Sequence, residues 1–434
     1  MSDGLGKGNK PSTRDTQGLD PAAGGDDQDG HLTWRAFVRS LGPGLVAGAS
    51  DVDPTTVATI AVIGATTMFK LAWLVILILP MLAVVQVVSA RTGAATGQDL
   101  QQLVVRRYGR GPQILLLVSI VSVTVITLAA DLEAGAAAVG LLVHADWKWF
   151  VVPVAVAVGA LLVWGTYDEV QRVLRYVILV LLAYFAAAVL AHPHWSAVAR
   201  GTLIPNFRWD TDYVQGALAL VGTTLTSYVY VWQTVEVAEE KPPASRLRLK
   251  EVDAASGILF AVALFWFILV ATGATLGRHH TQVQTAQDAA KALTPVAGRF
   301  AGDLFGIGLL SSALIALPVL LGTISYVIGA EFGWRSGLSE RVRDAPGFYI
   351  VLLVSLAAAA GVAVLGVSPI HLLVIASVAG GLGTPIGLVF LMLVASDGDV
   401  MGRHTVTGRM KAAGWAVAAF IGIMSVVYLV QQFA

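Results

Sequence analysis

Four carboxylates, Asp51, Asp53, Asp131 and Glu133, fall deep inside long apolar stretches that hold no deeply placed lysine or arginine. A charge in hydrocarbon costs at least about 2.5–3.5 kcal/mol. Acids without basic partners need a water-filled cavity, a bound proton or a cation. The plainer account, that they are protonated or sit nearer an interface, suffices for any one of them. It does not explain the company that Asp51 and Asp53 keep. The stretch reads Gly-Pro-Gly-Leu-Val-Ala-Gly-Ala-Ser-Asp-Val-Asp-Pro-Thr-Thr-Val from Gly42 to Val57. Pro54 has no amide hydrogen and pushes Asp53 out of the helical region. Ser50, Asp51, Asp53, Thr55 and Thr56 all compete for backbone hydrogen bonds. This predicts an unwound break in mid-span. A break frees main-chain carbonyls that lipid cannot satisfy but an ion or water can.

A second polar interruption runs through Gly222, Thr223, Thr224, Thr226, Ser227 and Tyr228, and is followed by Trp232-Gln233-Thr234. Hydroxyl runs in membrane helices usually just bond back to the preceding turn. This one matters because of its place in the chain.

The elements that must carry these residues follow from composition. Of 434 residues 56% are apolar and only 13% charged, and mean hydropathy is +0.73. Soluble domains carry about a quarter charged residues, so a soluble enzyme is excluded. The 28 basic residues equal the 28 acidic ones, which leaves no net field for nucleic acid. There is no cysteine, hence no disulfide, thiolate metal site or cysteine nucleophile. A spanning helix needs about 20 apolar residues, and eleven stretches qualify: Leu41–Met68, Leu71–Ala90, Ile114–Val143, Trp149–Gly165, Tyr176–Ala191, Tyr213–Val237, Gly257–Gly277, Leu304–Ala330, Phe348–Val367, Ser368–Ser396 and Ala412–Gln431. With the N-terminus inside, 21 Lys and Arg fall on the cytoplasmic side and 7 outside. That bias predicts N-in, C-out topology in the cell membrane.

Residues 1–34, rich in Gly, Asp, Ser and Gln, read as a disordered cytoplasmic tail. The polar interruptions open the first and sixth spans, at corresponding positions of two five-span groups. Broken helices so placed are the best sequence pointer to a transporter site. The predicted fold is all-α and integral to the membrane. Residues 35–410 form a ten-helix core of two inverted five-helix repeats, and residues 411–434 a peripheral eleventh helix.

At these residues the chain resembles the Nramp family of divalent metal transporters, which share the LeuT-type fold. The family's Asp-Pro-Gly-Asn signature stands here as Asp53-Pro54-Thr55-Thr56. Arg91-Thr92-Gly93 with Arg107-Tyr108-Gly109, Asp131-Leu132, and Ser396-Asp397 with Met401-Gly402 are similar to other family landmarks. The departures are informative. The family's Met-Pro-His-Asn falls on Thr226-Ser227-Tyr228-Val229, a helix-10 glutamine falls on Gly383, and a helix-3 glutamate falls on Ala134 beside Glu133. The ninth span lacks the family's arginines. The chain is similar to a branch that includes the Nramp-related magnesium transporters.

The resemblance implies a metal site at Asp53, Thr56, Thr226 and the carbonyl of Thr223, with Asp51 and Ser227 within reach. Asp131, Glu133 and Tyr228 would stand behind them or on a proton path. Thioether ligands favour soft metals, whereas carboxylate, hydroxyl and carbonyl suit Mg, Ca or Mn. A partly hydrated Mg²⁺ or Mn²⁺ would then be cargo, with no cofactor, and proton coupling would be weak or absent. No phosphate-cradling glycine loop ends in Gly-Lys-Ser/Thr, so no ATP is expected. The protein is expected to be a monomer whose partners are the metal and the bilayer. Two other readings stay open. Asp53 could pair with an organic ammonium between Tyr228 and Trp232 as aromatic walls, since fold alone does not fix substrate. The chain could also be a relative that has lost transport.

Overall fold

The computed structural model describes residues 52–164, 183–240, 244–279, 282–338, 340–365 and 367–433. The predicted N-terminal tail, residues 41–51 of the first span and residues 176–182 of the fifth span lie outside them. Among the described residues eight helices are long and apolar enough to cross a membrane, and Pro54–Thr67 and Trp147–Val163 are shorter apolar helices. No strand occurs among the described residues. The all-α membrane fold expected from composition is what forms.

The first described helix, α1 (Pro54–Thr67), begins where the sequence predicts a break. Asp53 is extended at φ −76° and ψ 165°, and its carboxylate accepts from the Thr56 amide at 2.6 Å. Pro54 takes the first helical position, where a missing amide hydrogen costs nothing. Then come α2 (Ala72–Thr96), the short amphipathic α3 (Leu100–Tyr108), α4 (Arg110–Val143) and α5 (Val151–Trp164). The sixth span is two helices, α6 (Thr211–Thr224) and α7 (Ser227–Glu240), parted at Leu225 and Thr226. No Pro or Gly sits at that gap. The freed Leu225 carbonyl accepts instead from the Thr384 hydroxyl at 3.1 Å. The chain continues through α8 (Ala244–Thr275), α9 (Ala301–Phe332), α10 (Pro346–Val364), α11 (Pro369–Ala395) and α12 (Gly408–Phe433).

Helix α1 packs against α8, α11 and α6, with α4 and α9 also in contact. Polar side chains tie these helices together. Thr59 and Ser377 share a hydrogen bond of 2.6 Å between α1 and α11, and the Ser312 hydroxyl of α9 donates to the Val52 carbonyl. Between α6 and α11 the backbones themselves meet. A Cβ on Gly222 would lie 2.1 Å from the Ser377 carbonyl oxygen and 2.2 Å from the Gly381 nitrogen. Without a hydrophobic drive between helices in lipid, small residues permit such approach and the attraction it brings.

The outward faces are apolar. Ile423 (64% exposed), Val426 and Val430 lie open on α12, and Ile350 and Val354 on α10. That is the surface a bilayer solvates. Helix α12 packs on α11, α6 and α2. Outside the spans, Arg107 at the end of α3 donates to Asp397 beyond α11 at 2.5 Å. This charged bond holds the Asp397 carboxyl below the usual carboxylate range.

Adding a methyl at the α6–α11 crossing must push backbone from backbone. Gly222→Ala is expected to destabilise the protein by about 1–3 kcal/mol, the usual cost of overpacking. A melt of purified protein in detergent checks this. Gly361→Ala, which opens onto free space, should melt as the wild type does.

Candidate functional site

The amino end of α1 has orphan backbone donors, the Thr55 and Thr56 amides among them, and a positive dipole end, a natural seat for anions. Two carboxylates occupy it. Asp53 Oδ1 accepts from the Thr56 amide, while Asp131 Oδ1 on α4 accepts from the Thr55 amide at 3.1 Å and the Thr55 hydroxyl at 2.5 Å. Both acids are buried, Asp53 at 2% exposure and Asp131 at 0%. Asp131 Oδ2 has no hydrogen-bond partner among the described residues.

Across from this end lies the α6–α7 gap. Thr56 Oγ1 lies 2.9 Å from Thr223 Oγ1 and 3.5 Å from the Thr223 carbonyl oxygen, which joins the start of α1 to the end of α6 directly. Tyr228, in the first turn of α7, donates its hydroxyl to Asp53 Oδ2 at 2.5 Å. The cleft between is lined by Asp53, Thr55, Thr127, Thr223, Thr226 and Tyr228, with Gly222, Ala376 and Ser377 closing it. No space for a water molecule remains inside.

Besides the hydroxyls that bond across helices, two other kinds occur. Thr224, Thr234, Thr124 and Thr127 bond back to the preceding turn of their own helices, as hydroxyls in helices generally do. Thr226 Oγ1 and Ser227 Oγ, at the gap, are buried and have no partner among the described residues. Buried polar groups normally find one, so these two hydroxyls are among the exceptions, and they fall at the gap.

Of the residues named from the sequence, Asp53, Thr223, Thr226 and Tyr228 line one cleft, and Thr56 and Asp131 bond to its lining residues Thr223 and Thr55. Ser227 is buried in the same turn but does not line it. Asp51 lies outside the described residues. Glu133 does not line the cleft either: it is fully buried on α4 with both carboxylate oxygens unpartnered among the described residues. Gly383 also stands away from the cleft. It lies about 9 Å along α11 from Ser377, six residues at 1.5 Å each, where its Cβ would come within 2.5 Å of Val123 on α4. Trp232 forms no wall of the site. It packs edge-on against Tyr326 of α9 and over Gly322.

Sequence reasoning did not name Thr55, Thr127 and Ser377 as site residues. Thr127 could have been found, because it precedes Asp131 by one helical turn. Ser377 carries no such signal, since only the packing of α11 on α1 and α6 delivers it. The oxygens at hand are carboxylate, hydroxyl and carbonyl, and no sulfur lines the cleft among the described residues. Nor does any cluster of three or more His, Asp or Glu form among them. Such a donor set suits a hard cation that keeps some of its water.

Known proteins agree with this architecture. Residues 44–431 match the profile of the family described as Nramp, natural resistance-associated macrophage protein-like. The chain is 30% identical over 424 residues to a divalent metal cation transporter MntH of Ralstonia nicotianae, covering 92% of each chain. It is 28% identical over 411 residues to the MntH of Deinococcus radiodurans, covering 89% of this chain and 88% of that one. Among solved structures, the Eremococcus coleocola manganese transporter bound to an aromatic bis-isothiourea compound superposes with a TM-score of 0.73 at 18% identity, over 94% of this chain and 90% of that one. MhsT in complex with L-phenylalanine superposes at 0.58 with 14% identity, over 90% and 97%. The fold is therefore the LeuT type, carried by a multi-pass protein of the cell membrane, and the chain belongs to the Nramp family of membrane transporters.

Proposed function

We propose that this protein carries a divalent metal cation into the cytoplasm by alternating access, with a preference for the hard ions Mg²⁺ or Mn²⁺. One observation carries the reading: Asp53, at an interrupted helix end, faces a second interruption where every donor lining the cleft is oxygen. The relatives' name, divalent metal cation transporter, points the same way. Asp53 is the charged ligand, with Thr56, Thr226 and the Thr223 carbonyl contacting the ion or its waters, and with Asp51 and Ser227 close by in the chain. Asp131 and Glu133 are the reserve of negative charge behind it. The closed cleft admits the ion when α6 or α7 moves away from α1. With the N-terminus cytoplasmic, as the 21 to 7 distribution of basic residues favours, an inside-negative potential drives entry. It contributes about 4.6 kcal/mol per divalent ion per 100 mV, twice the unit-charge value.

Coupling to protons is weak in this reading. Ala134 stands where the family resemblance expects a glutamate, and α10 contains no arginine. Asp131 has one oxygen committed to Thr55, which leaves a short relay at most.

Uptake into proteoliposomes under an inside-negative potential tests the proposal. Wild-type protein should take up Mg²⁺ or Mn²⁺, and Asp53→Asn should slow uptake at least about tenfold, the scale of one charge-assisted contact. Equal uptake by Asp53→Asn would refute the assignment. An internal pH dye read in the same vesicles should show little acidification. Acid entry matching metal entry would overturn weak coupling.

A further inference from the structure

Both oxygens of Asp53 are engaged by donors of this chain, Oδ1 by the Thr56 amide at 2.6 Å and Oδ2 by the Tyr228 hydroxyl at 2.5 Å. The first bond is local to α1 and travels with it. The second crosses from α1 to α7, so it joins two elements that must separate for an ion to enter. No water-sized space is left beside it. The Tyr228 hydroxyl therefore sits at a position that an inner-sphere cation on Oδ2 would occupy. In the same turn, Thr226 and Ser227 present buried hydroxyls with no partner among the described residues.

We propose that Tyr228 is a specificity-determining residue, whose hydroxyl competes with metal for Asp53 Oδ2 and so favours an ion that keeps its water shell. The inference rests on the reading of Asp53 as the metal's carboxylate. Its logic is an exchange of donors. A metal-bound water donates an O–H to Oδ2 as the phenol does, so a hydrated ion replaces one hydrogen bond with another. A cation that sheds that water must displace the phenol and offers no hydrogen bond in return. Mg²⁺ dehydrates reluctantly and retains several waters, so it gives up little to the phenol. Mn²⁺ gains more from direct carboxylate contact, and the phenol withholds that gain. The unpartnered hydroxyls of Thr226 and Ser227 can accept hydrogen bonds from the remaining waters.

Calorimetric titration of the full chain in detergent with MgCl₂ and MnCl₂ tests this, using wild type, Tyr228→Phe, Tyr230→Phe and Asp53→Asn. Tyr228→Phe removes one atom and keeps the ring. It should tighten Mn²⁺ about tenfold, the scale of losing one charge-assisted competitor, while Mg²⁺ changes by less than about threefold. Tyr230 lies two residues on, and its hydroxyl donates to the Thr384 carbonyl at 3.2 Å. Its phenylalanine variant should keep the wild-type ratio, so a shift there as well would assign the effect to packing and overturn the proposal. An unchanged Mn²⁺ to Mg²⁺ ratio in Tyr228→Phe, or equal weakening of both ions, would also overturn it. Failure of the underlying reading looks different: wild type binds neither ion, or Asp53→Asn binds both as tightly as wild type does.

Discussion

Two carboxyl groups gathered at the amino end of one helix are the constraint on which the rest of the site depends. Asp53 and Asp131 reach the first turn of α1 from different elements, one as its own cap and one from α4. Among the described residues no lysine or arginine offsets them there. In a bilayer such a pair stands only if backbone amides, hydroxyls and, in transport, a cation answer it. The amides of Thr55 and Thr56 supply the permanent part of that answer. They also fix where the carboxylates point, so the helix end is both scaffold and electrostatic partner.

The opposite wall is built by a different physics. The α6–α7 gap has no proline and no glycine at its two non-helical residues. Its carbonyl is taken by Thr384, and Tyr230 bonds the carbonyl of that same residue on α11. Helix α11 thus holds the interruption open from outside. The glycine contacts of Gly222, Gly380 and Gly381 let α11 come close enough to do so. A site of buried hydroxyls and a seam of bare backbone are two consequences of one helix crossing. The chemistry of the cleft, oxygen on every side, follows from which residues occupy that crossing.

Much of this was legible in the residues themselves. Pro54 between Asp53 and Thr55 is a local breaker, and a local breaker needs no tertiary partner to act, so the start of α1 could be read directly. The all-α membrane architecture followed from apolar length and scarce charge. The meeting of Thr56 with Thr223, far apart in the chain, was implied by the family resemblance, and the two hydroxyls do meet. Gly383 shows what motif position leaves open. It stands where the family resemblance expects a glutamine, and here it lets α4 approach α11, a contact that position along a helix does not reveal. Trp232 likewise looks from its spacing like a wall of the site, yet it is spent on packing against α9.

The sequence by itself determined that the chain lies in a membrane, that acids stand in it unpaired, and that one span must break at Pro54, because these depend only on composition and on backbone geometry within a few residues. Tertiary structure alone decided which hydroxyls stay unpartnered, that Tyr228 covers the carboxylate, and that Ser377 joins the cleft. Those outcomes depend on how closely α6, α7 and α11 approach α1, a property of helix packing that no stretch of the chain encodes locally.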